Sequence, residues 1–264
     1  MLVALLCASA FQVEAPAVPA TEPRALERVV VIGASLSAGF GAEQTLAQVF
    51  AAALKPGHAE PVDYGDALFF TSPLSFGARM VEAALDEEPS LVLAVDFLFW
   101  FGYGSTDAEG GAMDSEDERL ALLEHGLAFL ARLECPLVVG DFPDMSEAVG
   151  RMISPAQMPE KATLPRLSQR VREWAAKRGR TLVLPLSELV QQLGGEREVR
   201  IGRHLYEPKA RLLQADRLHP TRRGQIAIAE LVASELVRLE WAKEEDLEFD
   251  LAALELNLGR SRPR

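Results

Sequence analysis

Apolar positions along the chain alternate between two patterns. Short apolar runs, some rich in β-branched residues, predict buried strands at 28–32, 62–66, 90–95, 137–140 and 181–184. Between these runs, apolar residues recur every three or four positions and predict helices at 43–54 and 76–85, a helix after the capping-box pair Ser115 and Glu118, and a helix from Thr221. The alternation predicts an α/β protein, a three-layer α/β/α sandwich around a flavodoxin-like parallel five-stranded sheet.

The two ends of the chain differ from this pattern. Residues 1–27 begin with an apolar run that ends in Ala8-Ser9-Ala10, which is typical of a leader with its cleavage site, and continue as a linker. The segment predicts export to the periplasm or the exterior. Because no basic residue precedes the apolar run, a cytoplasmic location is the alternative. Residues 28–243 form the predicted domain, and residues 244–264 form a peripheral tail. The apolar run is too short to predict a transmembrane helix.

Charge and composition narrow the possible partners. The formal net charge is -12, which argues against nucleic acid as a partner, because binding it requires a surplus of basic residues. Cys7 and Cys135 are the only cysteines, so a disulfide framework is excluded. Residues 33–41 contain glycines but neither the lysine of a P-loop nor the spacing of a dinucleotide-binding motif. No cofactor is therefore predicted.

Two segments at opposite ends of the predicted domain carry the candidate chemistry. Ser35 follows the first predicted strand, where a parallel sheet presents residues at its C-terminal edge. Asp216 precedes His219 by three residues, so its carboxylate can orient one imidazole nitrogen while the other faces a serine hydroxyl. The pattern predicts Ser35 as nucleophile, His219 as base and Asp216 as orienting acid.

These segments resemble the first and last blocks of the SGNH (GDSL) hydrolases, a family of serine esterases with this fold. The family's Gly-Asp-Ser-Leu-Ser/Thr-x-Gly block is matched by residues 33–39, with Ala34 in place of the aspartate. Its Asp-x-x-His-Pro-x-x-x-Gly block is matched by residues 216–224. The resemblance assigns the same three roles to Ser35, Asp216 and His219. It implies hydrolysis of a small-molecule, carbohydrate or lipid ester, or of a thioester.

The middle blocks of the family are not matched. They supply a glycine amide and an asparagine side chain to the oxyanion hole, whereas residues 96–102 read Asp-Phe-Leu-Phe-Trp-Phe-Gly. The only asparagine of the chain is Asn257, in the tail. We therefore expect backbone amides of Ser35, Thr71 and Ser72 to stabilise an oxyanion, with weak activity as the consequence.

The aromatic run after the third predicted strand has two interpretations. Phe97, Phe99 and Trp100 either belong to the core or form the wall of an acyl or aryl pocket beside the serine. Phe99 or a neighbour occupies the place of the family's asparagine.

Two alternatives to a serine esterase remain at this point. One is an SGNH-like binding protein without a complete oxyanion hole, because a fold by itself implies no activity. The other is a metal-assisted hydrolase that uses Asp96, Asp141, Asp144 and His219, all near predicted strand ends. Labelling by an active-site phosphonate and sensitivity to chelators separate these hypotheses.

Overall fold

The computed structural model describes residues 25–113, 115–193, 197–206 and 212–260. Nearly all of the predicted leader, residues 1–24, therefore lies outside the described residues. The five predicted strands are present and form one parallel sheet in the order β2-β1-β3-β4-β5. They are β1 (Val29–Gly33), β2 (Val62–Gly65), β3 (Leu91–Ala94), β4 (Leu137–Gly140) and β5 (Thr181–Leu184).

Helices cover both faces of this sheet. They are α1 (Leu46–Ala53), α2 (Pro73–Asp86), α3 (Phe99–Gly102), α4 (Glu116–Leu130), α5 (Thr163–Arg178), α6 (Leu186–Leu193), α7 (Arg222–Arg238) and α8 (Leu251–Arg260). Residues such as Val30 and Ile32 contribute to a first hydrophobic cluster with α2, α4 and α5. Val29 and Val31, on the opposite face of β1, contribute to a second cluster with α1, α7 and α8. The predicted three-layer α/β/α sandwich is confirmed.

Local signals place several helices where the sequence predicts them. The Ser115 hydroxyl accepts a hydrogen bond from the Glu118 amide, and the Glu118 carboxylate accepts one from the Ser115 amide, which is the capping box that begins α4. Thr221 caps α7 in the same manner, by accepting from the amide of Gly224.

Several elements were not predicted. These are α3, α5, α6 and a hairpin of β6 (Val199–Ile201) and β7 (His204–Tyr206). The hairpin contributes Val199, Ile201 and Tyr206 to a third, smaller hydrophobic cluster, which also contains Leu212 and Ala227. This third cluster lies beside α6 and α7.

The prediction that residues 244–264 are peripheral is wrong for the described part of this tail. Leu247, Leu254 and Leu258 are at most 2% exposed and belong to the second cluster. Leu254 and Leu258 are four residues apart and lie on one face of α8, which packs against α1 and excludes water from this apolar surface. Among the described helices, none is both long and apolar enough to cross a membrane.

Candidate active site

The turn that carries Ser35 is held by a buried carboxylate from the neighbouring strand. Ser35 follows β1, and Asp96 follows β3, which pairs with β1. Oδ1 of Asp96 accepts from the Ala34 amide at 3.1 Å and from the Ser37 hydroxyl at 2.6 Å. Its Oδ2 accepts from the Leu36 amide at 2.8 Å and from the Ser37 amide at 3.4 Å. Both amides that flank Ser35 are thereby fixed to one side chain.

The environment of Asp96 is dry. The residue is 7% exposed, and burial raises the pKa of its carboxyl group, while the bonds from Ser37 and the backbone partly oppose that rise. The close approach requires Gly33, because a Cβ there would lie 2.2 Å from Oδ1 of Asp96. This positioning role was not predicted from the sequence, although an aspartate directly after an apolar strand was the available signal.

The histidine and its carboxylate meet in the loop before α7. Nδ1 of His219 lies 2.8 Å from Oδ2 of Asp216, and Oδ1 of Asp216 accepts from the amides of Leu218 and His219. Arg217 adopts a left-handed conformation, φ 62°, at the turn between them. Burial acts to raise the pKa of Asp216, but the hydrogen bonds outweigh it and hold the pKa below its ordinary value. An ionised Asp216 fixes Nδ1 as the donor, so Nε2 is the nitrogen that can accept a proton.

Two glutamines join the loop after β1 to the loop before α7. Gln225 donates from Nε2 to the Leu36 carbonyl at 2.6 Å, and Gln214 donates to the Phe40 carbonyl at 2.7 Å. The backbone amide of Gln214 also donates to the His219 carbonyl, at 2.8 Å. The rings of Phe40 and His219 have centroids 4.5 Å apart. These contacts tie the two motif-bearing loops together.

Ser35 and His219 line the same cavity. The cavity is open to solvent at its mouth, and its volume is about 90 Å³. Phe99 also lines it, whereas Phe97 and Trp100 are not among its lining residues and are buried in the first hydrophobic cluster. Of the three predicted pocket aromatics, the structure brings one to the candidate site and places two in the core.

The structure does not bring Thr71 and Ser72 to this cavity. Their backbone amides donate to the carbonyls of Leu68 and Phe69, at 2.9 and 3.2 Å, in a 3₁₀ helix that follows β2. An amide that already donates in this way is not free for an oxyanion, so the structure does not support their predicted role. Over the described ranges, the Ser35 amide has no acceptor.

The carboxylates of the metal hypothesis have other partners. Asp141 accepts from the amide and the hydroxyl of Ser187, at 2.7 and 2.6 Å, and pairs with Arg172. Asp144 is exposed, and Asp96 holds the serine turn. Within the described part of the chain, no group of three or more His, Cys, Asp or Glu residues is placed to hold a metal ion. The metal hypothesis has no support in this geometry.

Comparison with known proteins identifies the fold. No protein-family model matches the sequence, and neither does any curated protein. Similar solved structures include a candidate acylhydrolase from Bacteroides fragilis (15% identity, TM-score 0.53, 81% of this chain and 88% of that one). A GDSL-like lipase from Bacteroides thetaiotaomicron is similar at 17% identity and a TM-score of 0.51, over 81% of this chain and 89% of that one. A mutant acetyl-xylooligosaccharide esterase from Geobacillus is also similar, at 17% identity and a TM-score of 0.50, over 85% of this chain and 100% of that one. The chain therefore has the fold of the SGNH/GDSL hydrolases.

Proposed function

We propose that this protein is a serine ester hydrolase of the SGNH type. The observation that carries the proposal is the 2.8 Å contact of His219 with Asp216, together with the cavity that His219 and Ser35 both line. The similar structures include proteins described as a lipase and an esterase, which supports ester hydrolysis on this fold. The three side chains belong to the two segments that match the family's first and last blocks.

The proposed reaction proceeds through an acyl-enzyme. Oγ of Ser35 attacks the ester carbonyl while Nε2 of His219 accepts the serine proton. The C–O bond to the alcohol breaks, and the imidazolium gives this proton to the leaving alcohol. Water then attacks the acyl-serine with His219 again as base. The bond between the acyl carbon and Oγ breaks, the imidazolium returns its proton to Oγ, and the acid is released. Asp216 orients the imidazole and stabilises its charged form.

Asp96 acts in this proposal as a positioning residue. It accepts from the amides of Ala34 and Leu36, on either side of Ser35, and so leaves the Ser35 amide as an oxyanion donor. The family's asparagine donor has no counterpart after β3. Loss of one such donor typically lowers kcat by about 10² to 10³, so we expect slow turnover of generic aryl esters.

Phosphonate labelling tests the proposal directly. A fluorophosphonate should label the protein, and mass spectrometry should find the adduct on Ser35. Ser35→Ala should abolish labelling, and His219→Ala should slow it by at least about 10³-fold, because the serine loses its base. Ser75→Ala is the matched control, since Ser75 is an exposed serine on α2 and should leave labelling unchanged.

Three results would contradict the proposal. Full ester hydrolysis by Ser35→Ala would exclude the covalent mechanism. Labelling at another serine would show that this other serine, and not Ser35, is the nucleophile. A folded wild-type protein that no fluorophosphonate labels would favour the alternative of an SGNH-like binding protein.

A further inference from the structure

The apolar side of α6 lines the cavity as well as packing against the hydrophobic clusters. Leu186, Leu189, Val190 and Leu193 have the i, i+3, i+4, i+7 spacing of one helix face, and all four line the cavity. None of them is fully buried. An amphipathic helix ordinarily buries such a stripe, so α6 presents apolar surface to the space beside Ser35.

The cavity lies where the three hydrophobic clusters meet. Val190 packs against the first cluster and Leu186 against the second, while Leu189 and Leu193 pack against the third. A cavity at such a junction has apolar walls on several sides. Filling it with an apolar group would restore contacts that the walls otherwise lack.

The remaining walls are also apolar. Apart from Ser35, Asp96, Asp141 and His219, every described lining residue is hydrophobic, proline or glycine. The two aspartates already accept hydrogen bonds from neighbouring residues. A polar ligand group deep in this space would lose its bonds to water with few replacements, whereas an alkyl chain would lose none.

We propose that this cavity holds the acyl chain of the substrate, so that the protein prefers esters of unbranched medium-chain acids over acetyl esters. The inference rests on the proposed function, because the chain reaches the cavity as the acyl group bound to Ser35. The acyl group, unlike the alcohol, stays beside the serine through both chemical steps. The aliphatic α6 stripe, with Phe99 as the only aromatic ring besides His219 among the described lining residues, suits an alkyl chain.

A series of p-nitrophenyl esters from acetate to octanoate tests the preference. In the wild-type protein, kcat/KM should rise about fourfold per added methylene, the equivalent of the ~0.8 kcal/mol that burial of one methylene gains, until the cavity is filled. Val190→Trp should narrow the cavity and lower the octanoate-to-acetate ratio of kcat/KM at least about tenfold, which is the loss of two such methylenes. Gln191→Trp is the matched control, because Gln191 is the next residue of α6 and is exposed to solvent. If Val190→Trp does not fold, Val190→Phe provides a smaller obstruction.

The outcomes separate this inference from the esterase proposal. Equal kcat/KM for acetate and octanoate in a protein labelled on Ser35 would overturn the acyl cavity and leave the esterase intact. An equal change in the octanoate-to-acetate ratio of kcat/KM in Val190→Trp and Gln191→Trp would also overturn the acyl cavity and leave the esterase intact. If Ser35 is not labelled and no ester is hydrolysed, the cavity is tested by calorimetry with N-methyloctanamide. Binding to wild type but not to Val190→Trp would support the acyl cavity. No binding to wild type would overturn it.

Discussion

Asp96 and Asp141 are two buried carboxylates that follow neighbouring strands, and they hold different halves of the candidate site. They are 7% and 4% exposed and follow β3 and β4. Among the described residues, Asp96 accepts from backbone amides and one hydroxyl, all in the turn around Ser35. Asp141 instead binds Ser187, in the first turn of α6, and pairs with Arg172.

In the proposed function, this difference divides one sheet edge between the groups that would react and the wall of the cavity. Asp96 and Asp141 share their residue type, their burial and their position after a strand. Their hydrogen-bond partners therefore decide which part of the site each carboxylate positions. Asp96 fixes the turn that presents the proposed nucleophile. Asp141 fixes the start of the helix whose leucines and valine line the cavity. Changes at Asp96 should therefore alter the rate with every ester, and changes at Asp141 should alter the preference between esters.

The largest effect is expected from Asp96→Ala. It leaves the Ser37 hydroxyl and the amides of Ala34, Leu36 and Ser37 without their acceptor, so the Ser35 turn can leave its reactive geometry. We expect kcat to fall at least about 10²-fold for acetate and octanoate alike. Unfolding should become easier by about 3 kcal/mol. Steady-state kinetics and urea unfolding measure the two quantities.

Asp96→Asn is the control for a merely structural role. Its amide oxygen still accepts from the turn, so it should recover part of the phosphonate labelling rate that Asp96→Ala loses. If both variants are less stable but are labelled at the wild-type rate while folded, then Asp96 does not position Ser35.

The second prediction concerns Asp141→Asn. The variant loses the ionic pair with Arg172 and weakens the bonds to Ser187, so the start of α6 is less firmly held. We expect the octanoate-to-acetate ratio of kcat/KM to fall about fourfold, the contribution of one buried methylene. The same ester series provides the measurement. A uniform loss with all esters would show that Asp141, like Asp96, supports the reacting groups.

The contrast between the two halves also explains what the sequence predicts well. The strands and the helix caps depend on local signals, such as the β-branched run of β1 and the pair Ser115 and Glu118, and they are found as predicted. The last motif is equally local, because Asp216 and His219 are three residues apart and form their hydrogen bond within one turn.

Other features of the site depend on contacts between distant parts of the chain. The bonds from the Ser35 turn to Asp96 span about sixty residues and follow from the pairing of β1 with β3. The stripe of α6 has the same spacing whether it faces a core or a cavity, so periodicity alone does not reveal the cavity. The backbone amides of Thr71 and Ser72 donate within a 3₁₀ helix that the sequence pattern does not reveal, so their predicted role as oxyanion donors is not supported.

The smallest expected effect is a difference in pH dependence between Asp216 and Asp96. The pKa of Asp216 is lowered in the folded protein, so its ionised form adds stability above the ordinary aspartate pKa, and this contribution is lost as the pH falls through the lowered value. The pKa of Asp96 is raised by burial, so its contribution is fully present below the ordinary value and is lost as the pH rises through the raised one.

Urea unfolding of wild type, Asp216→Asn and Asp96→Asn between about pH 7 and pH 3 should show these opposite trends, because an asparagine does not titrate there. The stability difference between wild type and Asp216→Asn should shrink toward acid by about 1 kcal/mol or less, because Asp216 is partly exposed and solvent screens its interactions. The difference between wild type and Asp96→Asn should grow toward acid. Parallel trends in the two variants would mean that the carboxylates share one environment, and the distinction between a buried Asp96 and a partly exposed, hydrogen-bonded Asp216 would then be wrong.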